Sequence, residues 1–310
     1  MLTITKSMSS HGADPIEHHV IHPTSSKVVN MKKILIYGSG GYIESIVLPC
    51  LQSKFPGKDI VIMSNRPVHA LNIARKYGVT PLLSLDDIFD FDTFFLASSP
   101  LDYPEFIRRL PSRSHVWIEK PVCEMSSDAL DDITSAVVAQ RISAHVGLNK
   151  RYAISITSYV NSDSIEGQIN LNIPFDPGMW RTSWRQYLLH GGVYWADGIH
   201  AFDLALYLLG ENANLSFSCM NCEGWKAIAD SPRGKIYIHV GNSASNYLVL
   251  NGQQLTDFWS PATSIQSFET NLAGFLQGES NWDSAFSSHS RIIAAGSSYC
   301  SKHGCSGFYA

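Results

Sequence analysis

Between Lys33 and Asn149, short runs of β-branched and aromatic residues alternate with amphipathic stretches, and this alternation constrains the fold more than any other feature of the chain. The runs ILIYG, DIVIMSN, TFFLASSP, HVWIEKPV and ISAHVGLN have strand length. The segments between them, roughly ten to fifteen residues long, suit helices. Units of this kind wrap around a parallel sheet whose strands are apolar on both faces. One helix is expected over Pro67–Tyr77. Another, SSDALDDITSAVVAQR, is capped by Ser126 or Ser127 and carries acids in its first turns, where the helix dipole favours negative charge.

Beyond Arg151 the pattern changes. Longer strand-like runs, GQINLNIPF, LSFSCMNC, GKIYIHVG and NYLVLNG, are interrupted by the helix-like AFDLALYLLG and FETNLAGFLQG. These predict an α+β unit with a largely antiparallel sheet. At 310 residues the chain exceeds one average domain, so the reading is a parallel-sheet α/β domain over residues 31–149 and an α+β domain over 150–310. Residues 1–30 are polar and rich in Ser and His without periodicity, and read as a disordered leader.

Composition excludes several classes of protein. With 45% apolar residues and a formal net charge of -4, the chain has neither the basic surface of a nucleic-acid binder nor an apolar run near the roughly 18 residues of a membrane helix. The N-terminus lacks the basic-then-apolar order of a secretion signal, and a cytosolic enzyme fits best. Six cysteines are too few for a disulfide framework in a chain of this length. Cys219, Cys222, Cys300, His303 and Cys305 could be read as scattered zinc ligands, but LSFSCMNC alternates like a strand and sends neighbouring side chains to opposite faces. No metal is expected.

The first strand runs into Gly38-Ser39-Gly40-Gly41-Tyr42-Ile43. In that position Gly38 permits a tight turn and Gly40 lets the backbone approach a pyrophosphate, which the following helix start would hold. Ile43 fills the third small position, so the fingerprint is imperfect. After the second strand an acid would hold the ribose hydroxyl of NAD, but the chain presents Ser64-Asn65-Arg66. A hydroxyl, an amide and a guanidinium suit a 2'-phosphate, which favours NADP and leaves NAD open. Ser98, Ser99 and Pro100 follow the third of the apolar runs, on the sheet edge where such folds place their ligands.

Glu119-Lys120-Pro121 then ends a strand with charge where a core residue would be expected. Together with VGLNKRY, Trp184-Arg185 followed by Gly191-Gly192, and GIHAFDLALYLLG from Gly198, it resembles the Glu-Lys-Pro signature of the glucose-fructose oxidoreductase, inositol dehydrogenase and MocA (Gfo/Idh/MocA) family. The resemblance covers nearly all of residues 31–310 and implies a Rossmann domain followed by an open-sheet α+β domain. It also implies NAD or NADP as cofactor and redox chemistry on carbonyl or hydroxyl groups, commonly of sugars. By the same resemblance Lys120 hydrogen-bonds the reacting oxygen, His200 does acid/base chemistry, and Asp203 contacts substrate. Arg151, Trp184, Arg185 and Asp197 belong to the substrate side, and Glu119, Lys120 and Pro121 adjoin the cofactor.

The chain departs from the family pattern in places. The family's acid four residues before the histidine is replaced by Ala196, with Asp197 one place later. The third glycine of the usual run is Val193, and Tyr103 and Pro104 stand near where a histidine is often found.

The chemistry asks for the same residue types independently. Hydride transfer to a ketone leaves charge on oxygen, which a cation such as Lys120 stabilises and to which His200 can supply a proton. Trp180, Arg181, Trp184, Arg185, Tyr187, His190, Tyr194 and Trp195 crowd one span, which suits either a sugar ring or a subunit interface. The expected partners are a small-molecule substrate and further copies of the chain, in a dimer or tetramer. Three alternatives are an imine or other small-molecule reductase on the same fold, a redox-neutral glycoside cleavage, and a non-catalytic cofactor-binding sensor.

Overall fold

A computed structural model of the protein describes residues 33–54, 56–57, 59–173, 192–221, 223–242 and 245–304. The leader over residues 1–30 lies outside them. The apolar runs from Lys33 to Val146 form strands β1 (Lys33–Tyr37), β2 (Asp59–Met63), β3 (Thr80–Pro81), β4 (Thr93–Leu96), β5 (His115–Ile118) and β6 (Ser143–Val146). They pair in parallel in the order β3-β2-β1-β4-β5-β6, the doubly wound order of a Rossmann sheet.

Helices α1 (Leu48–Lys54), α2 (Pro67–Tyr77), α3 (Tyr103–Arg109) and α4 (Ser127–Ala139) connect these strands, and a π-helical turn, Ile43–Val47, runs into α1. Ser126 caps α4 by accepting from the Ala129 amide, as the sequence allows. Period-two alternation sends Ile34, Ile36, Ile60, Ile62, Phe95 and Trp117 to one face, where they meet Ile43, Val47, Leu51 and Ile73. Leu35, Val61, Phe94, Leu96, Val116 and Ile118 face the other way, in the core with Phe106, Ile107, Leu130 and Ile133. Both faces are therefore dry, which is why these strands read as unbroken apolar runs.

The rest of the chain contributes α5 (Thr157–Val160), β7 (Ile165–Asn172), α6 (Gly192–Ala196), α7 (Ile199–Leu209), β8 (Asn214–Asn221), β9 (Gly224–Ser231), β10 (Gly234–Gly241), β11 (Tyr247–Leu250), β12 (Gln253–Gln254), α8 (Pro261–Leu276) and α9 (Trp282–His303). The second sheet has the order β12-β11-β7-β10-β9-β8, with β7 and β10 parallel and its other ladders antiparallel. On its inner face Phe202 of α7 packs edge-on to Phe217, with ring centroids 5.2 Å apart, beside Trp225. α7 is buried almost all round, as its near-continuous apolar sequence requires.

The last helices do not all stay with this second sheet. Ser260 caps α8 and Pro261 opens it. Its Phe268, Leu272 and Phe275 complete the apolar layer over Phe95 and Trp117 of the first sheet. Among the described residues no helix is long and apolar enough to cross a membrane, and no cluster of His, Cys, Asp or Glu could hold a metal ion. Cys219 lies on β8, and Cys222 and Cys305 lie outside the described residues.

Candidate active site

The end of β1 and the end of β4 almost touch. At Gly38, with φ +143°, an added Cβ would lie 2.3 Å from the Ala97 carbonyl oxygen, so only glycine fits this turn. At Gly40 and Gly41, by contrast, a Cβ would meet nothing within 4 Å. The loop is tight against its own sheet and open on the side where a ligand would approach. Ile43 is fully buried at the start of the π-helical turn, so this helix seats on the sheet through an apolar side chain. Ser39 Oγ lies 2.7 Å from Ser64 Oγ, and Ser64 Oγ accepts from the Arg66 amide. Asn65 and Arg66 are exposed at the head of α2.

In front of the glycine turn lies a cavity of about 790 Å³, lined by Gly40, Gly41, Tyr42, Ile43, Ile46, Ala97, Ser98, Tyr103, Glu119, Lys120, Asn149, Lys150, Leu171, Asn172, Ile173, Asp197, His200, Trp259, Ser264 and Phe268. It runs from the carboxyl edge of the parallel sheet to the start of α7 and the start of α8. Its volume is in the range of a small-molecule site.

Lys120 and His200 are brought to this one space. The Lys120 ammonium donates to the Ala196 carbonyl at 3.1 Å and stands 3.5 Å from Asp197 Oδ1. Ala196 ends α6 and Asp197 stands in the turn that leads into α7, which carries His200. Ala196, where an acid was looked for, is buried and serves the lysine through its backbone, while Asp197 does so through its side chain. The strap after Lys120 is fixed from behind: the Val122 amide donates to His289 Nε2, and Trp195 Nε1 donates to the Cys123 carbonyl at 2.7 Å. His200 Nδ1 is buried without a hydrogen-bond partner. Burial first, then the nearby positive charges of Lys120 and Lys150, hold its pKa well below the ordinary imidazole value, so the ring is neutral at neutral pH.

Glu119 answers why a charge interrupts the strand end. It is buried, accepts a hydrogen bond from Trp117 Nε1 at 2.9 Å, and has its carboxyl pushed up to about 7 by burial. The neighbouring Lys120 charge and the hydrogen bonds from Trp117 and Tyr42 oppose that rise. Its carboxylate fills the space a side chain at Gly147 would need, with a Cβ there only 2.7 Å from Glu119 Oε1. Gly147→Ala therefore displaces Glu119 or strains β6. A loss of about 1–3 kcal/mol is expected from overpacking, read as a lower denaturation midpoint; an unchanged midpoint would mean that Glu119 does not occupy this space.

Other expectations are redistributed. Arg151 and Asp203 do not line the cavity. They form a forked, buried ion pair with each other, Arg151 Nε to Asp203 Oδ2 at 2.8 Å and Nη2 to Oδ1, and the guanidinium is completed by Ser284 and Ser288. His200 and Asp203 sit three residues apart, yet Asp203 is 1% exposed and faces the core. There the two charges satisfy each other. Ser99 and Pro100 start a short turn, with Ser99 Oγ accepting from the Leu101 amide, and of that stretch only Ser98 reaches the cavity. Pro121 is buried behind Lys120 and does not line the cavity. Trp184 and Arg185, with the aromatic cluster from Trp180 to His190, lie outside the described residues.

The cavity also includes residues the sequence did not single out for it: Lys150, Asn149, Asn172, Trp259, Ser264 and Phe268. Lys150 adjoins Arg151 in VGLNKRY. In the tight 3₁₀ turn Asn149–Tyr152, adjacent side chains point in different directions, which is the signal that separates the two.

No protein-family model and no curated protein matches the chain. Solved structures do. A Gfo/Idh/MocA family oxidoreductase from Vibrio cholerae aligns at TM-score 0.65 and 15% identity, over 88% of this chain and 99% of that one. Its structural neighbours are Gfo/Idh/MocA oxidoreductases. The WlbA dehydrogenase from Thermus thermophilus, in complex with NAD and UDP-GlcNAcA, aligns at TM-score 0.67 and 16% identity, over 86% of this chain and 94% of that one. A 3-ketoreductase from Actinomadura kijaniata, in complex with NADP and TDP-benzene, aligns at 0.64 and 16%, over 86% and 97%. The Gfo/Idh/MocA likeness thus extends over both sheets, and at these identities it establishes the fold.

Proposed function

We propose that the protein is a nicotinamide-dependent oxidoreductase, NADP-preferring, that transfers hydride between its cofactor and a carbonyl or hydroxyl of a sugar or keto-sugar. The observation that carries this reading is the meeting of Lys120 and His200 in one cavity whose far end is the open face of the Gly40-Gly41 turn. Neighbours that bind NAD or NADP share the fold.

The residues present fit such a cofactor. Gly40 and Gly41 leave room for a pyrophosphate, and Ser98 and Tyr42 border the space beyond it. Ser64, Asn65 and Arg66 offer a 2'-phosphate donors and no carboxylate. When bound, the nicotinamide supplies or takes the hydride. Lys120, steered by Ala196 O and Asp197, holds positive charge against the reacting oxygen. His200, kept neutral, accepts the proton of a hydroxyl as it becomes a carbonyl and returns it in the reverse direction.

Two measurements test this. Ser64→Asp places a carboxylate where the 2'-phosphate is expected, and NADPH affinity should fall roughly tenfold or more with NADH affinity little changed; equal effects on both would remove the NADP preference. A panel of sugars and keto-sugars, followed by nicotinamide absorbance, should contain at least one that exchanges hydride. Cofactor that binds but reacts with none of them would count against the sugar class.

A further inference from the structure

A buried cation without a counter-charge needs an explanation. Lys150 is 6% exposed. Its ammonium donates to the Phe258 carbonyl at 3.0 Å and to Ser264 Oγ at 2.9 Å, and lies 5.1 Å and 4.9 Å from the ring centres of Phe258 and Trp259. All of these partners are neutral. Among the described residues no carboxylate lies within 4 Å of it. Burial pulls its pKa down to about 8, with no neighbouring charge acting on it. An ammonium has three N–H donors and two are used.

A second donor in the same cavity lining is also idle: Trp259 Nε1 is buried with no acceptor. Burying an uncompensated ammonium and an unpaired indole N–H costs free energy that packing alone does not require. The aromatic rings and the two neutral acceptors soften that cost but supply no negative charge. Arg151, one residue on, shows what this chain does with a structural buried cation: it gives it Asp203.

We propose that Lys150 and Trp259 form a subsite for an oxyanion of the substrate, a carboxylate or phosphate carried close to the reacting carbon. The site rests on the oxidoreductase reading for the word substrate, but its anion affinity does not depend on turnover. Assignment to the substrate rather than to a cofactor phosphate follows from position. Lys150 and Trp259 line the same cavity as Lys120 and His200, whereas the pyrophosphate is expected at Gly40 and Gly41. The substrate class narrows accordingly to acidic or phosphorylated sugars and related hydroxy acids.

The test uses the full chain and two probes, malonate and inorganic phosphate, titrated with and without saturating NADPH and followed by tryptophan fluorescence. The wild type should bind at least one of them. Lys150→Met, which keeps length and removes charge, should weaken that binding at least tenfold, leave NADPH affinity unchanged, and keep or raise the melting temperature. Lys150→Arg should retain anion binding. If Lys150→Met weakens NADPH tenfold instead, the oxyanion belongs to the cofactor and the assignment to substrate falls. A lower melting temperature with anion affinity intact would make Lys150 a structural anchor of α8. If NADPH binds and neither anion does, the subsite is refuted while the oxidoreductase reading stands; if NADPH does not bind either, both fail.

Discussion

Replacing Lys120 with alanine lowers turnover by roughly a hundredfold to ten-thousandfold, the range expected when a group that stabilises developing charge or takes part in proton transfer is lost. Cofactor affinity and melting temperature should stay close to the wild type. The ammonium touches only the Ala196 carbonyl and Asp197, it is partly exposed to the cavity, and the strap behind it is held by His289 and Trp195 independently of the side chain. Steady-state kinetics with a reactive substrate, beside a thermal melt, separates the two effects. Turnover that survives unchanged would remove Lys120 from the chemistry, and a large drop in stability would make it a structural link between the two sheets.

The opposite pattern is expected at Arg151 and Asp203. Removing either partner leaves a charge buried and alone, which costs about 3–5 kcal/mol. For a chain of this size that corresponds to a fall in melting temperature of roughly 5–8 °C. Arg151→Met combined with Asp203→Leu removes both charges and should recover much of the loss, since a buried pair is often replaceable by apolar residues of similar volume. Chemical denaturation of the three variants checks this. An Arg151→Met protein with wild-type stability and a raised KM would contradict the structural role and return Arg151 to the substrate.

These two predictions mark where the sequence was legible and where it was not. The parallel sheet could be read because both of its faces are buried, and short unbroken apolar runs between helices have few other uses. Pro67–Tyr77 matched to the residue because Pro opens it and Gly78, in a left-handed conformation, ends it. Strand β9, GWKAIADS, is not legible in the sequence because Lys, Ala and Asp are poor strand formers, and it is a strand because β8 and β10 flank it. Helix α9 was missed because its sequence is Ser-rich and its apolar stripe is thin.

Lys120 and His200, which line one cavity, each carry a local motif. Lys150, Trp259 and Ser264 do not: they come from a turn after the first sheet and from the head of α8, and only the folded chain brings them together. That Arg151 and Asp203 pair with each other instead of lining the cavity is equally a matter of the folded chain. Spacing along a helix indicates which residues share a face but not whether that face looks into a cavity or into the core.

The cleft before Gly40 and Gly41 is proposed to hold a nicotinamide dinucleotide. The most direct test is a titration of the protein with NADPH and with NADH, read by the fluorescence of the reduced nicotinamide. Saturable binding of NADPH, tighter than NADH, is the predicted result. Failure of both to bind would contradict the account, whatever the fold resembles.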